Sequence, residues 1–241
     1  MSDLKEKKIA IPERNQGESL SDYSYRILKT NIMQFNLVPG DIINEDEIAK
    51  MLGISRTPVH ESVLNLCAEK LISIKPRKES RVTMISVSAI NEGIFVRSCI
   101  EPEIILQSRG NLASHYIKLL MDNLEQQKKL INGNMDTRMF FNLDDEFHKL
   151  LYDGTNKSQT YEMVKRISVQ FDRVRYLILL SDINTGRNPL IYNEHQELFN
   201  IVAFKSNLDI EIKSFILGHI TCLEKYFSKL FSLYPNYFSF D

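Results

Sequence analysis

The sequence predicts a mainly α protein. A small N-terminal unit holds two short helices, a tight turn and a β-hairpin, and an all-α antiparallel bundle of about six helices follows. Three observations carry this reading. Nine glycines and seven prolines in 241 residues are too few for a many-turned all-β fold. Apolar residues recur at helical spacing through most of the chain. β-Branched residues flank a basic tip at 76–80, the pattern of one hairpin.

Residues 1–18 are charged and lack an apolar period, so they read as a flexible arm. From Ser19 to Phe35, Tyr23, Ile27, Ile32 and Phe35 recur near helical spacing, with Ser19 or Ser21 as a cap. Pro39 and Gly40 stop this helix, and Ile42 and Ile43 suit a short strand. Asn44 then caps EDEIAKMLG, whose acids sit at a positive helix end and whose Gly53 closes it. The next helix starts at Ser55 or Thr57, with Pro58 in its first turn, where the missing N–H costs nothing. It presents Val59, Val63, Leu64, Cys67 and Leu71 on one side. Two short helices separated by a tight turn, then a hairpin, make a winged helix-turn-helix over 19–84.

Residues 85–241 form the second part. Its helical segments are 86–110, 111–132, 136–154, 157–181, 188–204 and 207–231, separated by glycine, asparagine and proline breakers. The aromatic tail YPNYFSFD is expected to pack back on this bundle.

Composition bounds the function. Hydrophobic residues make up 43% and charged residues 25%, an ordinary globular balance. Three scattered cysteines suit a reducing compartment better than a disulfide framework. No signal peptide or membrane span is visible, so a cytoplasmic protein is expected. The net charge of −1 does not advertise nucleic-acid binding. Between 70 and 81, Lys70, Lys75, Arg77, Lys78 and Arg81 stand against Glu79 alone. This is a basic stripe of the kind a small docking element carries, although charge by itself suits a solvated loop better. No P-loop, G-x-S-x-G or dinucleotide turn is present, so no enzyme motif is found.

The stretch LVPGDIINEDEIAKMLGISRTPVHESVLNLCAEKLISIKPRKESRVT resembles the DNA-binding domain of GntR-type regulators. The second part is similar to the all-helical FCD domain of the FadR-like branch. The resemblance implies a homodimeric transcriptional regulator, a repressor by expectation, that binds a palindromic operator in double-stranded DNA and answers to a small carboxylate. It places Ser55, Arg56, Thr57 and His60 on the DNA, with Arg77 and Lys78 in the wing. The physics agrees, because a recognition helix reads base edges from its N-terminal residues and arginine can grip guanine with two bonds. Two residues depart from the family pattern: His60 stands for an arginine and Glu79 for a glycine. An altered operator, weaker phosphate contact, or both are expected.

Asp144 and His148 lie four residues apart, on one face of a helix. Alone, such a pair suits surface electrostatics equally well. The resemblance adds His195 and His219 on later helices, completing a set of three imidazoles and one carboxylate. That set suits a divalent transition metal, zinc or nickel first, with cobalt, iron and manganese also compatible. Arg97, four residues before Glu101, is an effector clamp by resemblance, although the spacing also makes a plain helix ion pair. Arg173 and Arg175 are further candidates of which one faces inward, and Arg173 is taken as effector-binding. The alternatives are a metal-dependent enzyme tethered to a DNA-binding module, or a regulator whose metal is purely structural.

Overall fold

The computed structural model describes residues 9–74, 79–181, 183, 187–204 and 209–240. The chain divides into two compact units, Met1–Val87 with Phe231–Asp241, and Ser88–Leu230.

The first unit is built as its caps dictate. Helix α1 (Leu20–Met33) starts at Ser19, whose hydroxyl accepts from the Asp22 N–H. Helix α2 (Glu45–Leu52) starts at Asn44, which accepts from the Asp46 and Glu47 N–H groups, and ends at Gly53. That glycine has φ 66°, a left-handed conformation in which a side chain would be strained. Helix α3 (Arg56–Ala68) follows Ser55, whose side chain makes no cap bond. Ile27, Ile32, Leu37, Val59, Val63, Leu66 and Leu71 are buried between these elements. Each such side chain stabilises the unit by about 1.5–3 kcal/mol through removal from water. Leu64, expected on the buried side, is 48% exposed, and Leu66 points inward in its place.

Strands β1 (Ile42–Ile43), β2 (Ile72–Ile74) and β3 (Ser80–Val82) form an antiparallel sheet in the order β1-β3-β2. Ile42 pairs with Arg81 and Ile72 with Val82. The sheet anchors the wing hairpin beside the helices. Arg77 and Lys78 at its tip lie outside the described residues. Glu79 accepts a 2.7 Å bond from Arg81, so its charge is paired within the hairpin.

The aromatic tail, expected on the bundle, groups with the first unit. Strand β5 (Phe238–Ser239) runs parallel to β4 (Ile85–Ser86) in the first unit. Phe238 is buried against Phe231 at 4.7 Å, and Tyr237 stacks on Phe35. The local reason is that β4 offers a strand edge to β5 and that the aromatic rings need cover.

The second unit is helical: α4 (Val87–Ser108), α5 (Ser114–Asn132), α6 (Thr137–Gly154), α7 (Ser158–Ile167), α8 (Val169–Leu180), α9 (Arg187–Phe204) and α10 (Asp209–Thr221), with α11 (Phe227–Leu233) after them. The expected helix over 157–181 is divided at Ser168 into α7 and α8. Ser168 is buried where α4 comes closest: a Cβ on Gly93 would lie 3.0 Å from the Ser168 Cα. The expected helix over 207–231 is likewise interrupted between Thr221 and Phe227.

Candidate metal centre and nucleic-acid interface

The second unit gathers three histidines from three helices. His148 comes from α6, His195 from α9 and His219 from α10, and one ligand atom of each lies within 4.8 Å of the others. All three side chains are at least nine-tenths buried. The amphipathic period of α6 places Phe140, Leu143, Asp144, Phe147, His148 and Leu151 on its inner face. Phe147 stacks flat on His195, with ring centroids 4.5 Å apart, and holds that ring in place.

The outer nitrogen of each ring faces an acceptor. His195 Nδ1 lies 3.0 Å from Gln127 Oε1, while the Gln127 amide donates to Asn123. That second bond turns the Gln127 oxygen toward the histidine, so His195 donates from Nδ1. His219 Nδ1 lies 2.7 Å from the Glu194 carboxylate. His148 Nδ1 lies 3.7 Å from Glu101. With their protons drawn outward, His195 and His219 turn Nε2 inward, and the Nε2 atoms of His148 and His219 are 3.3 Å apart. Two nitrogens bound about 2.1 Å from one ion at a near-tetrahedral angle sit roughly 3.4 Å apart. Outer acceptors of this kind fix ligand tautomers in metal sites. The residues present therefore fit a divalent ion. Burial, reinforced by Arg97, His219 and Lys165, holds His148 well below the usual histidine range, keeping its lone pair available.

Asp144 is at the edge of this cluster. Its Oδ1 is 3.5 Å from His195 Nε2, and its Oδ2 accepts from Arg175. Arg175 also bonds Asp172 at 2.7 Å and Asp145 at 3.1 Å. Lys165 joins both of these carboxylates, making a part-buried network beside Asp144.

Two cavities meet at His219. One is apolar, lined by Ile104, Ile105, Leu151, Leu198 and Ile216 beside His148. The other is mixed and brings Arg97, Asp144 and Arg175 together with apolar side chains such as Phe171 and Ile191. Arg97 is buried and bonds Glu101 at 2.5 Å. The structure does not bring Arg173 to either lining. That side chain is fully buried and donates to Gln170, and burial lowers its pKa to about 9. Arg175 occupies the cavity position instead. DRVRYLILL offers two arginines two residues apart, which point to different sides of a helix, and no sequence signal says which side faces in. Gln127 and Glu194 were not foreseen, since they meet the histidines across long sequence separations.

In the first unit the predicted DNA-facing residues cluster at the start of α3. Arg56 and His60 are exposed, at 63% and 52% of their side chains. Both bond Glu45 of α2, with Arg56 Nε 3.1 Å from Oε2 and His60 Nδ1 3.0 Å from Oε1. Ser55 and Thr57 are exposed beside them.

A winged helix-turn-helix joined to a helical unit with a buried histidine cluster defines a DNA-binding transcriptional regulator with a separate helical domain. Residues 20–82 match the family of bacterial regulatory proteins, gntR family, and residues 92–206 match the FCD domain. The chain belongs to the GntR family, in the FadR-like branch that carries an FCD domain, a family of regulators and not of enzymes. The HTH-type transcriptional repressor RspR of Escherichia coli (strain K12) is 28% identical over 198 residues, 82% of this chain and 85% of that one. The Nta operon transcriptional regulator of Aminobacter aminovorans is 24% identical over 83% of this chain and 90% of its own length. The solved structure of E. coli McbR/YncC shares the fold, with a TM-score of 0.72 at 20% identity, covering 90% of this chain and 99% of that chain. Among the described residues, no helix is long and apolar enough to cross a membrane.

Proposed function

We propose that this regulator binds a palindromic operator as a homodimer through α3 and its wing, and that a small carboxylate bound beside a metal ion in the helical unit modulates that binding. The observation that carries this reading is the convergence of three buried histidines whose outer nitrogens each face an acceptor. His148, His195 and His219 hold the ion, zinc or nickel by donor type. When bound, the ion supplies a Lewis-acid site for an anionic ligand. Asp144 is shared between this site and Arg175. An ion that draws Asp144 inward would loosen Arg175, leaving a guanidinium in the same cavity as Arg97 to meet the carboxylate of the effector. Ser55, Arg56, Thr57 and His60 contact DNA, with Arg77 and Lys78 in the wing. The repressor among the similar proteins supports repression as the mode of action.

The test combines elemental analysis of the purified chain with mobility shifts on its own upstream DNA, run with and without chelator and a panel of small organic acids. One equivalent of metal per chain is expected, together with an acid whose effect on DNA binding disappears on chelation. His195→Ala should remove both the metal and the acid response while operator binding persists. A metal-loaded chain whose DNA binding ignores every acid would make the ion purely structural.

A further inference from the structure

Glu45 is in the first turn of α2, yet both of its oxygens are committed to α3. One meets Arg56 Nε and the other His60 Nδ1. Its side chain is only 11% exposed, whereas the two groups that it holds project into solvent. Arg56 and His60 are four residues apart, so they share one face of α3. Burial alone would raise the Glu45 carboxyl, but the bonds from His60 and Arg56 outweigh it and hold the group below the usual carboxylate range. Glu45 is therefore an ionised acceptor with no proton to give.

This fixes what His60 can offer in its neutral form. A neutral imidazole carries one proton, on one nitrogen or the other. A carboxylate 3.0 Å from Nδ1 places the proton there. The far nitrogen, Nε2, is left with a lone pair on the exposed side of the helix. In the major groove, acceptors of that kind are answered by only two groups, adenine N6–H₂ and cytosine N4–H₂. Guanine shows N7 and O6 there, two acceptors that an imidazole lone pair cannot satisfy. Arg56 keeps its terminal nitrogens for a phosphate or a guanine, since Nε is the atom tied to Glu45.

We propose that Glu45 is a positioning residue that makes His60 a hydrogen-bond acceptor, so that α3 selects an exocyclic amino group, on adenine or cytosine, at the operator position His60 faces. The proposal rests on the reading of α3 as the DNA-contacting helix. It makes Glu45 part of the specificity apparatus although its own carboxylate, facing phosphates, would be repelled.

The experiment selects bound sequences from a random duplex pool with the full-length chain and with His60→Ala, His60→Arg and Glu45→Ala. The wild-type chain should require an amino-bearing base at one position in each half-site, and guanine there should cost roughly tenfold in affinity. His60→Ala should level that position alone. His60→Arg should turn its preference toward guanine. Glu45→Ala should shrink the discrimination at the same position with the helical circular dichroism unchanged, a readout that a merely structural glutamate would not move. A wild-type preference for guanine at the His60-dependent position, the base that a doubly protonated ring would read, overturns the proposal. So does a profile indifferent to His60→Ala or to Glu45→Ala. A wild-type chain with no sequence preference at all would instead sink the assignment of α3 as the reading helix, and this proposal with it.

Discussion

His195 owes the orientation of its ring to a residue outside the histidine cluster. Gln127 receives its proton because the Gln127 amide is spent on Asn123, which is in turn anchored to the Leu143 carbonyl. Gln127→Ala should therefore weaken metal binding by about 10- to 100-fold while leaving all three imidazoles in place; competition with a chromogenic chelator reads this directly. His148 supplies a second prediction at this scale. Its folded pKa is lowered by burial, while the unfolded chain has an ordinary value near 6.5. As pH falls below about 6.5, the unfolded chain takes up a proton that the native state resists. The stability present above that pH is lost on acidification. Asp172 has the opposite sign: burial lifts its carboxyl to about 6, so below that pH the native state takes up the proton first. The metal-free chain should be less stable to denaturant at pH 6 than at pH 7.5, and His148→Gln should flatten that slope, with a partial offset below pH 6. The histidines were visible in the sequence. Their outer partners were not, because Gln127 and His195 are brought together only by the packing of α5 on α9. Asp144 was visible too, but its bond to Arg175 was not, since charge type and helical period do not tell which of two competing partners a carboxylate takes.

At the scale of elements, caps and breakers carried the N-terminal unit. Ser19, Asn44 and Gly53 each sit where their chemistry demands, and the helix boundaries follow. Two elements escaped this logic. The division between α7 and α8 depends on a close approach of α4, where Gly93 leaves room for the Ser168 backbone. A periodic stretch without proline or glycine gives no local sign of such a break. Gly93→Ala should cost about 1–3 kcal/mol, because the methyl meets backbone atoms instead of a yielding side chain; thermal melting checks the value. Strand β5 escaped because its partner lies far away in sequence, and a two-residue strand has too short a pattern to betray its pairing. Phe238→Ala should destabilise the chain by about 3 kcal/mol, since the ring is buried against Phe231. A loss well under 1 kcal/mol in denaturant titration would show that the tail contributes little.

On the scale of the whole molecule, the proposed metal site belongs to one of two compact units. A ligand that binds only the folded state stabilises it by mass action. Metal at 100 times its dissociation constant should thus add about 2.7 kcal/mol to the chain. His148→Gln should abolish the increment, and calorimetry with and without chelator separates the two cases. The overall plan of a winged helix followed by a bundle was legible, because each unit declares itself through period and composition. What belongs to which unit was less so. The last residues, Phe231–Asp241, group with the first unit and not with the bundle that precedes them.

That grouping has a consequence for how the protein is made. The ribosome delivers α1, α2 and α3 before the bundle, yet the strand that pairs with β4 follows the bundle. The unit that is begun before the bundle is completed after it. A nascent chain stalled anywhere in the bundle would carry its DNA-binding helices without their closing strand, so that a finished head requires a chain extended past the bundle.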